Sequence, residues 1–296
     1  MLEELLTEQP NPASEGIDAL PAAEILRIIN AEDHKVAPAV AAEIPNIARA
    51  VDAIVAAIGR GGRLFYIGAG TSGRLGVLDA AECPPTFNVP PDLVQAVLAG
   101  GEAALARAAE ASEDDPTLGA RDLEVRGFGP ADVLVGIAAS GRTPYVLGAV
   151  AWARSLGALT VGISCTPDSE LSRLADIAIT PLPGPEVIAG STRMKAGTAT
   201  KLTLNMLSTA AMIRLGHVFG NLMVNVQPKN AKLTDRARRI IAAACGVGYQ
   251  EAARLLEEAG GQVKVAIVMA RLGLERDQAE ARLAAAGGRV SEALGG

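Results

Sequence analysis

Short apolar runs alternate with helix-period stripes through the middle of the chain. Short, mostly apolar runs at 63–67, 94–98, 132–138, 159–163 and 176–179 predict buried strands. The segments 72–82, 102–110 and 142–156 between them suit helices. Upstream, Val40, Ile44, Ile47, Val51, Ile54, Val55 and Ile58 recur three or four apart, which predicts one helix face, and Gly61-Gly62 stops it. Residues 1–20 are polar and read as an extended arm. Segment 192–215 is apolar nearly all round, with Leu202, Leu204, Met206, Leu207, Met212 and Ile213 on several faces; such a helix is buried in a core or between subunits. From about 232 the strands cease. Stripes at Ala252, Leu255, Leu256 and Ala259, at Val265, Val268, Met269 and Leu272, and at Ala281, Leu283 and Ala284 predict a small helical bundle over 235–296.

Alternating strands and helices imply a mostly parallel sheet with helices on both faces. Ligands on such sheets bind beyond the carboxyl ends of the strands. Two similar Gly/Ser/Thr loops stand at those ends, Gly68-Ala69-Gly70-Thr71-Ser72-Gly73-Arg74 and Ala138-Ala139-Ser140-Gly141-Arg142-Thr143-Pro144. Glycines let backbone approach a ligand, hydroxyls donate, and helix N–H groups favour negative charge. Each loop alone could simply cap a helix, through Thr71 or Ser72 in the first and Thr143 before Pro144 in the second. Two loops at equivalent strand ends favour anion binding. Gly68, Gly70 and Gly73 have the G-x-G-x-x-G spacing, a weak signal by itself, and are followed by Arg74; the Walker pattern is absent. A phosphorylated small molecule without a nucleotide cofactor fits better.

Composition narrows the class. The 296 residues are 49% hydrophobic and 20% charged, which suits a large core and leaves little room for long disorder. A net charge of −6 argues against nucleic acid. Cys83, Cys165 and Cys245 form no CxxC pair, and with only His34 and His217 besides, no metal-ligand spacing is visible. Met1-Leu2-Glu3-Glu4-Leu5 does not open a signal peptide, and no apolar run reaches membrane-spanning length, so a reducing cytoplasm is expected.

The acids come next. Glu82 ends the helix that starts at the first loop, and Pro84-Pro85 is expected to stop that helix at once. Glu113 lies in Glu110-Ala111-Ser112-Glu113-Asp114-Asp115-Pro116, a cluster that by composition reads as a solvated loop; a helix-end carboxylate such as Glu82 is also usually only solvated. If both enter a pocket, they can serve as general acid and base on a sugar phosphate, provided burial holds a proton on one of them. A third element runs from Gly184 through Glu186, Gly190, Ser191, Thr192 and Arg193 to Lys195. Ser191 or Thr192 can cap the long helix. Arg193 and Lys195 in its first turn oppose the macrodipole, which points either to a nearby anion or to an ion pair with Glu186. His34 among charges reads as exposed, His217 after Gly216 as a helix cap, and Cys83 as an unactivated thiol.

The Gly68–Arg74 loop, Ala80-Ala81-Glu82-Cys83-Pro84-Pro85, the stretch Gly136–Tyr145 and Gly184–Lys201 resemble the N-acetylmuramic acid 6-phosphate etherase family, as do Thr7-Glu8, Asn11 and Arg27-Ile28-Ile29-Asn30. The Gly184–Lys201 segment also resembles a signature of the glucokinase regulatory protein, a non-enzymatic relative. The resemblance implies a sugar isomerase (SIS) fold, a parallel five-stranded sheet flanked by helices, with a small C-terminal three-helix, ubiquitin-associated-like domain. The expected layout is an arm and helices over 1–53, the SIS domain over 54–217, a linker over 218–234 and the helical domain over 235–296. It implies a homodimer, with no metal and no nucleotide, that cleaves the D-lactyl ether of an amino sugar phosphate in peptidoglycan recycling. Glu82 matches the acid/base acting on the lactyl oxygen, and Glu113 the group that removes the C2 proton. Gly70, Thr71, Ser72, Ser140, Gly141, Arg142, Thr143, Glu186, Ser191, Arg193 and Lys195 are the implied substrate-binding residues. One departure is the apolar, Pro-containing stretch Asp115-Pro116-Thr117-Leu118. A binding-only regulator and an aldose–ketose phosphate isomerase remain the competing readings; lactate release separates them.

Overall fold

The computed structural model describes residues 6–106 and 110–295. Five strands form one wholly parallel sheet: β1 (Leu64–Gly68), β2 (Val94–Leu98), β3 (Val133–Ile137), β4 (Leu159–Ile163) and β5 (Ile177–Ile179). Their spatial order is β2-β1-β3-β4-β5, so the order reverses between β1 and β3. All five match the apolar runs to within a residue. β1 and β3 are buried throughout, as strands covered on both faces must be. On one face Phe65, Ile67 and Leu134 pack with Val146, Ala149 and Val150.

The helices are α1 (Ala22–Asp33), α2 (Val36–Ala42), α3 (Ile44–Gly59), α4 (Gly70–Phe87), α5 (Glu110–Glu113), α6 (Leu118–Val125), α7 (Pro144–Ser155), α8 (Glu170–Leu174), α9 (Lys195–Arg214), α10 (Ala231–Cys245), α11 (Tyr249–Glu258), α12 (Val263–Leu272), α13 (Arg276–Ala285) and α14 (Val290–Ala293). Several differ from the sequence expectation. The upstream stripe is two helices, because Pro45 sits where a new helix starts; Val40, Ile47, Val51 and Ile54 are buried, but Ile44 is exposed. The Pro84-Pro85 pair does not stop α4, which runs on to Phe87 and ends at Asn88 with φ +52°. Proline already has a helical φ, but each of the two removes a bond to the preceding turn and crowds the carbonyl four residues back, so α4 bears this cost close to its end. Glu82 is therefore inside a helix and not at its end. The expected helix at 102–110 is instead a 3-10 turn at Glu102–Leu105 followed by α5, with 107–109 outside the described residues. Helix α6 had no counterpart among the expected segments.

Contacts divide the chain into two compact units, Met1–Ala81 with Asp92–Ser208, and Glu82–Pro91 with Thr209–Gly296. Residues 218–234 lie inside the second unit, and the chain passes between the units at 81/82, at 91/92 and, within α9, at 208/209. In the first unit the arm is not extended. It makes 3-10 turns at Pro12–Ser14 and Ile17–Ala19 and docks on the 184–190 loop, where Gly190 N–H donates to Thr7 O (2.9 Å) and Ser14 Oγ to Val187 O (2.7 Å). In the second unit Val265, Ala266, Val268, Leu255, Leu256, Ile241 and Leu283 share one core, built from five helices rather than three. On α9, Leu204, Leu207 and Met212 are buried, whereas Met206 and Ile213 remain exposed.

Candidate active site

Gly68 and Ile137 are register partners, so the loops after β1 and β3 leave the sheet side by side at the point where strand order reverses. That is where ligands settle on open α/β sheets. In the first loop α4 already begins at Gly70 (φ +52°), placing the half-buried Thr71 and Ser72 inside its first turn rather than at a cap. The strand end and helix start touch: a Cβ on Gly73 would lie 2.5 Å from Gly68 O, and one on Gly68 2.7 Å from Gly73 N. Only glycines permit this approach.

In the second loop Gly141 (φ +66°) donates its N–H to Ala138 O at 2.8 Å, and a Cβ there would lie 2.3 Å from Ser169 Oγ. Ser140 Oγ accepts Arg142 N–H at 3.4 Å, and the exposed Arg142 guanidinium sits 3.4 Å from Glu170. Thr143 precedes α7 but its hydroxyl makes no cap bond. Instead Thr143 Oγ1 donates to Glu113 Oε1 at 3.3 Å. The fold thus carries half-buried Glu113 to the second loop, against the solvated reading its acidic neighbours favour.

The third element is held by buried charge. Glu186, 1% exposed, accepts the N–H groups of Lys195 and Ala196, both at 2.9 Å, and so caps α9 where the macrodipole favours an anion. Ser191 and Thr192 do not cap it, because α9 starts at Lys195. The Lys195 side chain, 0% exposed, does not pair with Glu186; its Nζ donates to Glu32 Oε2 at 2.5 Å. Glu32 also takes Lys35 Nζ (2.6 Å) and Asn11 Nδ2 (2.9 Å). Burial pushes the Glu32 carboxyl up, but donation by Lys195, Lys35 and Asn11 outweighs it and holds it at about 2. Arg193 is exposed. A Cβ on Gly197 would lie 3.7 Å from Thr71 Cγ2, so the first turn of α9 abuts the first loop.

Two buried groups escaped the sequence reading. Glu32 pairs with a lysine 163 positions away, for which no local signal exists. Asp79 accepts Tyr66 OH (2.8 Å), Asn205 Nδ2 (2.6 Å) and Ser208 Oγ (3.1 Å), tying α4 to β1 and α9; burial pushes its carboxyl up against these donors. The lone tyrosine hydroxyl in an apolar strand was the available hint, since a buried phenol needs a partner. Cys165 is buried, and burial, then the Glu186 charge, pushes its thiol up to about 12, which leaves it inert. His34 is exposed, and His217 contacts Asn225 Nδ2 through Nδ1 at 2.5 Å. Among the described residues no cluster of three or more His, Cys, Asp or Glu could hold a metal ion.

Glu82 is exposed on α4 and lines a pocket of about 740 Å³ within the second unit. Its neighbour Cys83 is buried.

Paired glycine–hydroxyl loops at the switch point of a five-stranded parallel sheet define a SIS-type protein. Residues 46–154 match the glucokinase regulatory protein N-terminal SIS domain, and 125–210 match the SIS domain family. A solved structure of a proposed phosphosugar isomerase involved in capsule formation from Bacteroides fragilis has the same fold, with a TM-score of 0.50 at 23% identity over 64% of this chain and 91% of that one. N-acetylmuramic acid 6-phosphate etherase of Aeromonas hydrophila is 56% identical over 98% of both chains, and that of Aliivibrio fischeri strain MJ11 is 55% identical over 99% of this chain and 98% of its own. The chain belongs to the N-acetylmuramic acid 6-phosphate etherase family.

Proposed function

We propose that this chain cleaves the D-lactyl ether of N-acetylmuramic acid 6-phosphate, yielding N-acetylglucosamine 6-phosphate and D-lactate, in cell-wall amino sugar recycling. The observation that carries the reading is the Thr143–Glu113 hydrogen bond at 3.3 Å, which attaches a carboxylate to an anion-binding loop in a chain of this family. The phosphate is bound by N–H groups and hydroxyls of Gly70, Thr71, Ser72, Ser140, Gly141, Arg142 and Thr143, with Ser191 and Arg193 supplied by the third element. Glu186 and Lys195, both buried, support substrate binding by fixing the start of α9.

The chemistry follows from the substrate. Opening of the ring exposes an aldehyde, which acidifies the C2 hydrogen. Glu113 removes that proton, and the electron pair expels the lactyl oxygen from C3 as Glu82 protonates it. Water, deprotonated by Glu82, then adds at C3 of the unsaturated aldehyde, and C2 is reprotonated. Each positioned carboxylate contributes on the order of 10²–10⁴-fold. The enzyme is read as a cytoplasmic homodimer using neither metal nor nucleotide.

The test is D-lactate release from N-acetylmuramic acid 6-phosphate with EDTA present. Release is expected from the wild type. Glu82→Gln and Glu113→Gln should each lower kcat on the order of 10²–10⁴-fold while calorimetry still detects sugar phosphate binding. Tight binding by the wild type without any release would mark a regulator instead.

A further inference from the structure

The pocket beside Glu82 contains two cations that the phosphate loops do not account for. It is formed entirely by the second unit, and its ionic side chains are Glu82, Lys229 and Arg236. Lys229 and Arg236 are exposed, and neither has an ion-pair partner among the described residues. Asp235, the carboxylate nearest Arg236 in sequence, is already engaged by Arg239 at 2.7 Å and by the Tyr249 hydroxyl at 2.8 Å. Pro84, Pro85, Pro90 and Pro91 also line the pocket and stiffen it, because each fixes its own φ.

Resting on the etherase reading, we infer that Lys229 and Arg236 form the subsite that recognises the carboxylate of the departing lactyl group. The carbon that carries the ether oxygen also carries that carboxylate. An acid that protonates the ether oxygen is therefore brought against a second carboxyl group. Two such groups in one pocket repel as both ionise, and a cation beside them removes the conflict. A guanidinium with an ammonium is the donor set that binds a carboxylate through charge-assisted hydrogen bonds. The carboxylate has the same charge before and after the C–O bond breaks, so these contacts bind substrate and product alike. They belong to KM and not to kcat. The exposure of both cations leaves the lactate a route out.

Steady-state kinetics on N-acetylmuramic acid 6-phosphate and on its lactyl methyl ester, which lacks the charge, test the assignment. For the Lys229→Gln/Arg236→Gln double variant, KM for the acid should rise on the order of tenfold to a hundredfold with kcat nearly unchanged, as expected for lost charge-assisted bonds. The ester's KM should stay where it is, and inhibition by D-lactate should weaken in parallel. Lys232→Gln, which removes an exposed charge outside the pocket, should change none of these. Equal preference for acid over ester in the wild type and the double variant would overturn the subsite. So would a loss of ester and acid affinity together with weaker inhibition by inorganic phosphate, which would assign the cations to the phosphate. If the wild type releases no lactate from either compound, the etherase reading fails and the subsite with it.

Discussion

Thr143 shows how one side chain changes role when the fold is known. Next to Pro144 it has the position of a helix cap, yet its hydroxyl is spent on Glu113. Removing that donor should leave the carboxylate less firmly placed. Thr143→Val is expected to lower kcat/KM for lactate release about tenfold, the size of one hydrogen bond to a charged group, and Thr143→Ser to restore most of it. A Val variant as active as the wild type would detach Glu113 from the loop. The same hydroxyl–carboxylate contact explains why Glu113 could not be valued from Glu110–Asp115 alone: acidic neighbours carry no record of a threonine 30 positions away.

At the scale of elements, Glu32 on α1 joins the arm, α1 and α9 through Asn11 and Lys195. Its carboxyl, normally near 4.5, is held at about 2, so folding favours the ionised form. The stabilisation is complete above about 4.5 and is lost as pH falls from there through 2. Amide protection factors in residues 7–14, corrected for intrinsic exchange, should therefore fall across that window. Glu32→Gln should abolish the pH response and also leave the Lys195 ammonium buried without its counter-charge, costing about 3–5 kcal/mol in chemical denaturation. An unaltered acid response in the variant would show that other carboxylates govern the arm. The α9 helix is thus started by one buried glutamate, Glu186, and anchored through its first side chain to another.

For the whole molecule, the second unit has its own core and its own half-buried cation. Lys264 Nζ donates to Gly216 O (2.9 Å) and Gly288 O (2.8 Å), and burial pushes its amine from 10.5 down to about 8. The unfolded chain binds this proton more tightly than the folded one. Stability should therefore rise as pH goes from about 8 to 10.5, and the Tm rise over that range should be smaller in Lys264→Met than in the wild type. Parallel Tm curves for the two proteins would contradict the burial of the charge. No described helix is long and apolar enough to cross a membrane.

The strands, the two loops and the helical character beyond residue 231 were legible because each is encoded in neighbouring residues: short, mostly apolar runs, glycine with hydroxyls, and stripes at helical spacing. Tertiary structure alone decided the strand order that sets β1 beside β3, the continuation of α4 through Pro84 and Pro85, and the partners of Glu32, Asp79 and Glu113. Periodicity describes which face of an element is buried, whereas a buried charge finds its partner only when distant elements are packed together and water has been removed from both.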